Sequence, residues 1–298
     1  MRLFRKKDEP GPARVPKVPP GRPGSAGRES DWRTYDSIAD VYARTFGREL
    51  TIPAADLVKL ADVRPGARVL DVGTGTGGSA RAAAAAAGEA GLVIGVDPAY
   101  PMISIAHREG GKPTYATATA IDLPFRNDTF GFVLANFVLS HFARYETALF
   151  DMLRVLRPGG RMAVTAWGAG DDRDELSAAW EAAAEEFAEH EMLQDAHDRA
   201  LPWEERFSDR ARLKEALHDA GLRDIWVEQR DYRFELTVEE YLSGRDITSK
   251  GRFLRQMLGE ELWEVFRRRT REIFAERFPP RLNDFRPVIF AVGHKPAD

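Results

Sequence analysis

Four glycines crowd six positions, at Gly73, Gly75, Gly77 and Gly78, directly behind the apolar residues Val69, Leu70 and Val72 that surround one carboxylate, Asp71. A short β-rich run stopped by glycines reads as a buried strand entering a tight turn. The alanine-rich stretch Ser79 to Ala87 that follows is a strong helix former. In such a strand, loop and helix, backbone approaches a ligand closely, because glycine has no Cβ and tolerates positive φ. Gly73, Gly75 and Gly78 satisfy G-x-G-x-x-G, and Asp97 lies 24 residues beyond Gly73. An acid near that spacing binds the vicinal hydroxyls of a ribose. The chemistry is therefore that of a nucleoside-bearing cofactor.

Two cofactor classes fit the spacing. A dinucleotide presents a pyrophosphate to the turn, and a carboxylate two residues ahead of the first glycine would repel it. S-adenosylmethionine (SAM) has an ammonium and a sulfonium and no phosphate, so Asp71 favours it.

The blocks VLDVGTGTG (Val69 to Gly77), VIGVDPAYPMI (Val93 to Ile103), AIDLPFRNDTFGFVLANFVLSHF (Ala120 to Phe142) and MLRVLRPGGRMAVTAW (Met152 to Trp167) occur in that order over about 100 residues. In this respect the chain resembles the class I SAM-dependent methyltransferases, in particular the small-molecule branch that includes the ubiquinone/menaquinone C-methyltransferases (methyltransferase type 11). The resemblance implies an α/β fold, a Rossmann-like doubly wound seven-stranded sheet with its last strand antiparallel and with helical lid insertions. It implies SAM as cofactor, held by Asp71, Gly73, Thr74, Gly75, Gly77, Asp97, Pro98, Met102, Thr119, Ala120, Ile121, Asn136 and Phe137. Asp97 would take the ribose hydroxyls and Met102 would pack on the adenine, where a polarizable thioether suits an aromatic face. The family commonly has an acid where Thr119 stands, so backbone at Ala120 and Ile121 is expected to share adenine recognition. Asn136 and Phe137 would flank the methionine portion. No N/D-P-P-Y/F tetrapeptide follows that strand, which argues against exocyclic amines of nucleobases or glutamine as acceptors.

These residues need elements to position them. Strands are expected at Leu92 to Asp97, Thr114 to Thr119, Phe130 to Ala135, Arg161 to Ala166, Ile225 to Phe234 and Pro287 to Gly293, with helices at Thr51 to Val63, Tyr145 to Leu156 and Asp209 to Ala220. Upstream, Trp32, Tyr35, Ile38, Ala39, Tyr42 and Phe46 share one face of a helix. In related enzymes such a helix covers the site, which makes Tyr35 and Tyr42 lid or core residues. With His141 they are the candidates for catalysis, should the acceptor need a proton removed. His141 equally fits a packing role.

Residues 1–30 hold six Pro, four Gly and eight Lys or Arg against three acids, a composition expected to stay disordered. Residues 31–298 are expected to form the methyltransferase domain, with insertions at about 170–206 and 237–284 forming a substrate lid. The second insertion carries Phe253, Leu254, Met257, Leu258, Phe266 and Phe274, more apolar surface than a solvated helix needs. Its run Arg267, Arg268, Arg269 and Arg271 reads first as a solvated face.

The chain has 298 residues, 30 % of them charged and 43 % hydrophobic, with net charge −4. That balance gives no general pull toward nucleic acid or anionic membrane. Without cysteine there is no disulfide and no thiolate nucleophile, and six scattered His suggest no metal site. No apolar run is long enough to span a membrane, so a cytoplasmic enzyme, monomeric or homodimeric, is expected. The leading expectation is methyl transfer to a small apolar or aromatic metabolite such as a quinone precursor, polyketide or lipid-like acceptor. Methylation of nucleic acid or protein, and non-catalytic SAM binding, stay open; a nicotinamide oxidoreductase is the remote alternative.

Overall fold

The computed structural model describes residues 34–169 and 174–297; the basic Pro- and Gly-rich segment and Trp32 lie outside them. The chain enters through α1 (Ala39–Arg44), α2 (Phe46–Glu49) and α3 (Thr51–Leu60). It continues through β1 (Arg68–Val72), α4 (Gly78–Ala87), β2 (Leu92–Asp97), α5 (Tyr100–Arg108), β3 (Thr114–Thr117) and β4 (Phe130–Asn136). After a 3-10 turn at Leu139–His141 come α6 (Tyr145–Val155) and β5 (Leu156–Trp167). The strands form one sheet in the order β3-β2-β1-β4-β5-β7-β6, where β6 is Arg223–Thr237 and β7 is Arg281–His294. Strands β1 to β5 pair parallel, and β7 runs antiparallel to both of its neighbours. Buried residues such as Val69, Leu70, Val133, Val164 and Phe290 put the sheet at the centre, covered by helices on both faces.

Between β5 and β6 lie α7 (Glu175–Glu185), α8 (His190–Ala200), α9 (Glu204–Phe207) and α10 (Arg210–Asp219); between β6 and β7 lie α11 (Val238–Asp246) and α12 (Ser249–Arg277). Both insertions leave from strand ends on the same sheet edge. They do not simply cover the sheet. Trp180, Leu193, Leu254, Trp263, Phe266 and Phe274 pack on one another in a second core of their own. Three of the four arginines expected on a solvated face bind across elements. Arg271 pairs with Glu239 at 2.9 Å, Arg269 with Glu186 at 3.3 Å, and Arg267 with Asp246 at 3.0 Å. These contacts tie α12 to α11 and to the end of α7.

The upstream helix is shorter than its aromatic spacing suggests. Residues 34–38 form a turn, and the helix breaks at Thr45 (φ −103°, ψ −98°). Thr45 donates its hydroxyl to the Val41 carbonyl at 3.0 Å, a local bond that competes with helix continuation. The break lets α2 lean on the glycine loop, so that a Cβ on Gly47 would stand 3.2 Å from Thr76 Oγ1.

Candidate active site

The glycine loop is held from below by its own strand. Asp71 is fully buried and accepts from Thr74 Oγ1 at 2.6 Å. Burial raises its carboxyl to about 7, against the lowering effect of the Thr74 bond. Asp71 therefore shapes the loop from behind instead of opening onto the cleft, and at neutral pH it carries only part of its charge.

Gly73 (φ +69°) and Gly75 (φ +52°) adopt the left-handed region for different reasons. A Cβ on Gly73 would stand 2.3 Å from Val138 Cγ2, so it is wedged under the turn after β4. A Cβ on Gly75 would meet nothing within 4 Å, so this residue faces an open cradle. Its N–H donates to Asp97 Oδ2 at 2.9 Å, and Ala99 N–H donates to Asp97 Oδ1 at 2.9 Å. Each carboxylate oxygen keeps a lone pair for a further donor. Burial pushes the Asp97 carboxyl up, while these two backbone bonds pull it back. An open cradle beside a carboxylate with acceptor capacity fits a nucleoside with a vicinal diol.

The other expected cofactor residues surround this point unevenly. Pro98 is exposed just past Asp97, whereas Met102 is 2 % exposed and packs with Ala39, Tyr35 and Tyr42. The upstream segment thus lies over the flank expected to hold the adenine. Thr119 and Ile121 are exposed in the loop after β3, with Ala120 buried between them. At the end of β4, Asn136 accepts from Thr165 Oγ1 at 2.6 Å, and Phe137 N–H donates to that same hydroxyl at 2.9 Å. Phe137 has φ +53° and stacks on Trp167 with ring centroids 4.2 Å apart. A non-glycine residue in this region stores about 1–3 kcal/mol, held by its surroundings.

Phe137 also borders a cavity of about 1220 Å³ between the sheet edge and the two insertions. The three catalytic candidates meet on its wall. Tyr35 Oη lies 3.4 Å from His141 Nε2, and Tyr35 packs edge-on against both His141 and Tyr42. Arg252 stacks over the Tyr35 ring at 4.9 Å and donates to the Thr34 carbonyl at 2.7 Å. Burial raises the hydroxyls of Tyr35, to about 12, and Tyr42. Burial and then the Arg252 charge lower His141 to about 4. At neutral pH Tyr35 keeps its proton and His141 is neutral, and the imidazole tautomer sets which of the two donates. His141 is then a weak base.

The insertions bring further polar residues to the cavity that the sequence reading did not single out. His197 Nδ1 sits 2.9 Å from Ser249 Oγ, and its Nε2 is 3.6 Å from Glu204 Oε1. Burial raises the Glu204 carboxyl to about 7, opposed by Lys250 and Arg245, and lowers His197. No local pattern marks these residues, which come from α8, α9, α11 and α12. Among the described residues no group of three or more His, Asp or Glu is placed to hold a metal ion, and no helix is long and apolar enough to cross a membrane.

A sheet ordered β3-β2-β1-β4-β5-β7-β6, with β7 alone reversed, is the class I methyltransferase arrangement and differs from the 3-2-1-4-5-6 order of the dinucleotide fold. Residues 70–164, which hold the glycine loop and Asp97, match the family described as a methyltransferase domain. Over 111 residues the chain is 40 % identical to a demethylmenaquinone methyltransferase of Thermus thermophilus, covering 36 % of this chain and 50 % of that protein. It is 36 % identical over 113 residues to a ubiquinone/menaquinone biosynthesis C-methyltransferase of Vibrio vulnificus, covering 36 % and 44 %. The chain thus spans about half the length of the curated relatives it matches. Among solved structures, a phosphoethanolamine N-methyltransferase of Haemonchus contortus in complex with SAM has a TM-score of 0.54 at 20 % identity, covering 90 % of this chain and 61 % of that one. That likeness is one of fold.

Proposed function

We propose that this chain is a SAM-dependent methyltransferase acting on a small ring-bearing or lipid-like acceptor, of which a quinone precursor is one kind. The observation that carries the reading is a juxtaposition at one sheet edge. The glycine loop, pinned to Asp97 through Gly75 N–H at 2.9 Å, leaves the end of β1; the end of the neighbouring strand β4 carries Phe137, which lines a cavity of about 1220 Å³. The matched methyltransferase segment and the C-methyltransferases among its relatives support it.

Bound SAM would supply a methyl group already activated by its sulfonium. The work left to the chain is positioning and exclusion of water, which in favourable cases supplies about 7–11 kcal/mol. Gly73, Thr74, Gly75 and Gly77 bring backbone to the cofactor, and Asp97 takes the ribose hydroxyls. Pro98, Met102, Thr119, Ala120 and Ile121 border the adenine. Asn136 and Phe137, fixed by the Thr165 hydroxyl, border the methionine end. Tyr35 and His141, a contacting hydroxyl and imidazole, orient the acceptor, with Tyr42 packed against Tyr35. The upstream helices and the two insertions form the lid.

Calorimetric titration with SAM, S-adenosylhomocysteine (SAH) and NADH tests this directly. Binding of the first two without the third is the expected result. Binding of NADH alone, or of none of the three, overturns the assignment.

A further inference from the structure

We propose that Glu204 is the general base of the methyl transfer, taking the proton of an acidic ring hydroxyl on the acceptor, and that His197 positions it. The proposal deepens the methyltransferase reading and rests on it. Six carboxylates line the cavity, and five of them are accounted for. Glu181 holds Lys250 at 2.8 Å, with Arg245 at 3.9 Å. Asp174 caps α7 through Ser177 N–H at 3.0 Å, and Asp284 pairs with Arg286. Glu175 and Asp231 are exposed. Glu204 keeps 28 % of its side-chain exposure, yet among the described residues its carboxylate accepts no hydrogen bond.

Its surroundings suit a base. His197 Nδ1 is held 2.9 Å from Ser249 Oγ, so the other ring nitrogen faces Glu204 Oε1, at 3.6 Å. Burial raises the Glu204 carboxyl to about 7, opposed by Lys250 and then Arg245, and a base is most effective when its pKa lies near the working pH. The imidazoles on the same wall are poorer bases. Burial and then Arg252 lower His141 to about 4, and burial and then Lys250 lower His197, whose Nδ1 is engaged. Tyr35 links the two sides of the site: after burial, Glu204 and Asp97 both raise its hydroxyl, against Arg252. Phe137, Trp167 and Tyr35 give the cavity aromatic wall for a ring. A base of this strength matches a phenol or enol hydroxyl, not an aliphatic alcohol. In the step, the O–H proton passes to the Glu204 carboxylate while the oxygen pair forms the new bond to the methyl carbon. The C–S bond breaks with its pair kept by sulfur, leaving SAH and a carboxylic acid that returns its proton to water. Attack through the conjugated ring carbon leaves a C–H whose proton then moves to the oxygen.

The test is calorimetry on the full chain with saturating SAH, using 2-naphthol and its methyl ether 2-methoxynaphthalene as probes at pH 6 and pH 8. The groups facing Glu204 are His197 of α8, Arg245 of α11, Lys250 of α12, and Tyr35 with Arg252 over its ring. The ratio of 2-naphthol to 2-methoxynaphthalene affinity rises about threefold to tenfold over this range, because the carboxylate formed above its pKa is the stronger acceptor for the hydroxyl. Glu204→Gln keeps the affinity for 2-methoxynaphthalene and makes the ratio independent of pH, with His197 still in place to show any slope of its own. Glu204→Asp, which keeps a carboxyl, retains a rising ratio. A flat ratio or no probe binding in the parent chain, a rising ratio in Glu204→Gln or a flat one in Glu204→Asp overturns the proposal. So does loss of 2-methoxynaphthalene binding in Glu204→Gln, which would make Glu204 structural. Absence of SAH binding in the unmodified chain would instead overturn the methyltransferase reading, and the same titrations without SAH separate the two.

Discussion

Gly73 and Gly75 stand two residues apart in one loop, both with positive φ, and the structure assigns them opposite sensitivities. Alanine at either position carries the left-handed penalty of roughly 1–2 kcal/mol. At Gly73 the new methyl also stands 2.3 Å from Val138 Cγ2 and 2.8 Å from its Cβ, an overpacking that costs about 1–3 kcal/mol. Gly73→Ala should therefore lose about 2–5 kcal/mol. At roughly 2–4 °C per kcal/mol for a domain of this size, its melting temperature falls by about 4–20 °C. Gly75→Ala meets nothing within 4 Å and should lose only the backbone part, but its methyl projects into the cradle beside Asp97. Its melting temperature falls by a few degrees, and its affinity for SAH drops more than tenfold.

Differential scanning calorimetry and titration with SAH read the two effects separately. The double variant Gly73→Ala, Val138→Ala sharpens the test, because it removes the 2.3 Å contact with Cγ2 and leaves the 2.8 Å contact with Cβ and the strain. It should recover part of the lost stability and no more. If Gly73→Ala melts no lower than Gly75→Ala, the wedge under the loop is wrong; if Gly75→Ala binds SAH like the parent chain, the cradle is wrong.

Asp97→Asn turns an amide N–H₂ toward either Gly75 N–H or Ala99 N–H, so SAH affinity should fall at least tenfold with a stability loss of about 1–3 kcal/mol, read by titration and melting. Burial raises the Asp71 carboxyl to about 7, so the folded state holds its proton between pH 4 and 7 where the unfolded chain releases it; stability from this group falls as pH rises through that window, by about 4 kcal/mol in all. Melting curves at pH 4.5 and 7.5 should accordingly differ less in Asp71→Asn than in the parent chain, and an unchanged difference would refute the buried-acid account. Phe266→Ala, 1 % exposed and packed against Trp180, Phe187 and Trp263, should cost about 3–5 kcal/mol through the second core while leaving the stoichiometry of SAH binding intact.

The part of the fold legible in the sequence is the part specified by short-range signals. An apolar run, a cluster of glycines and an alanine-rich helix locate β1, the loop and α4 without tertiary knowledge, and Leu92 to Asp97 likewise matches β2 to the residue. The outer hairpin was less legible. Strands β6 and β7 extend to 15 and 14 residues, well past the apolar stretches Ile225 to Phe234 and Pro287 to Gly293. Most of the added residues, among them Glu235, Asn283 and Asp284, are polar. They are strand because the partner strand pairs them, from Phe234 with Asp284 to Thr237 with Arg281. Arg286 then stacks on Phe46, Trp167 and Phe234, a clasp that no alternation pattern announces.

The same logic separates the two halves of the candidate site. Backbone at the glycine loop and one carboxylate at a strand end define the cofactor side, so spacing alone points to it. The acceptor side is built from side chains on five separate helices. Glu181, His197, Glu204, Arg245 and Lys250 come together only when the insertions pack through Trp180, Phe266 and Phe274. Each of these ionisable residues looks like an ordinary helix surface residue in the sequence. Their burial is the departure, because a stable second core of that size had no need to enclose charge. An apolar lid would have sufficed to exclude water, so these enclosed acids, imidazole and cations are the part of the cavity wall that packing alone does not explain.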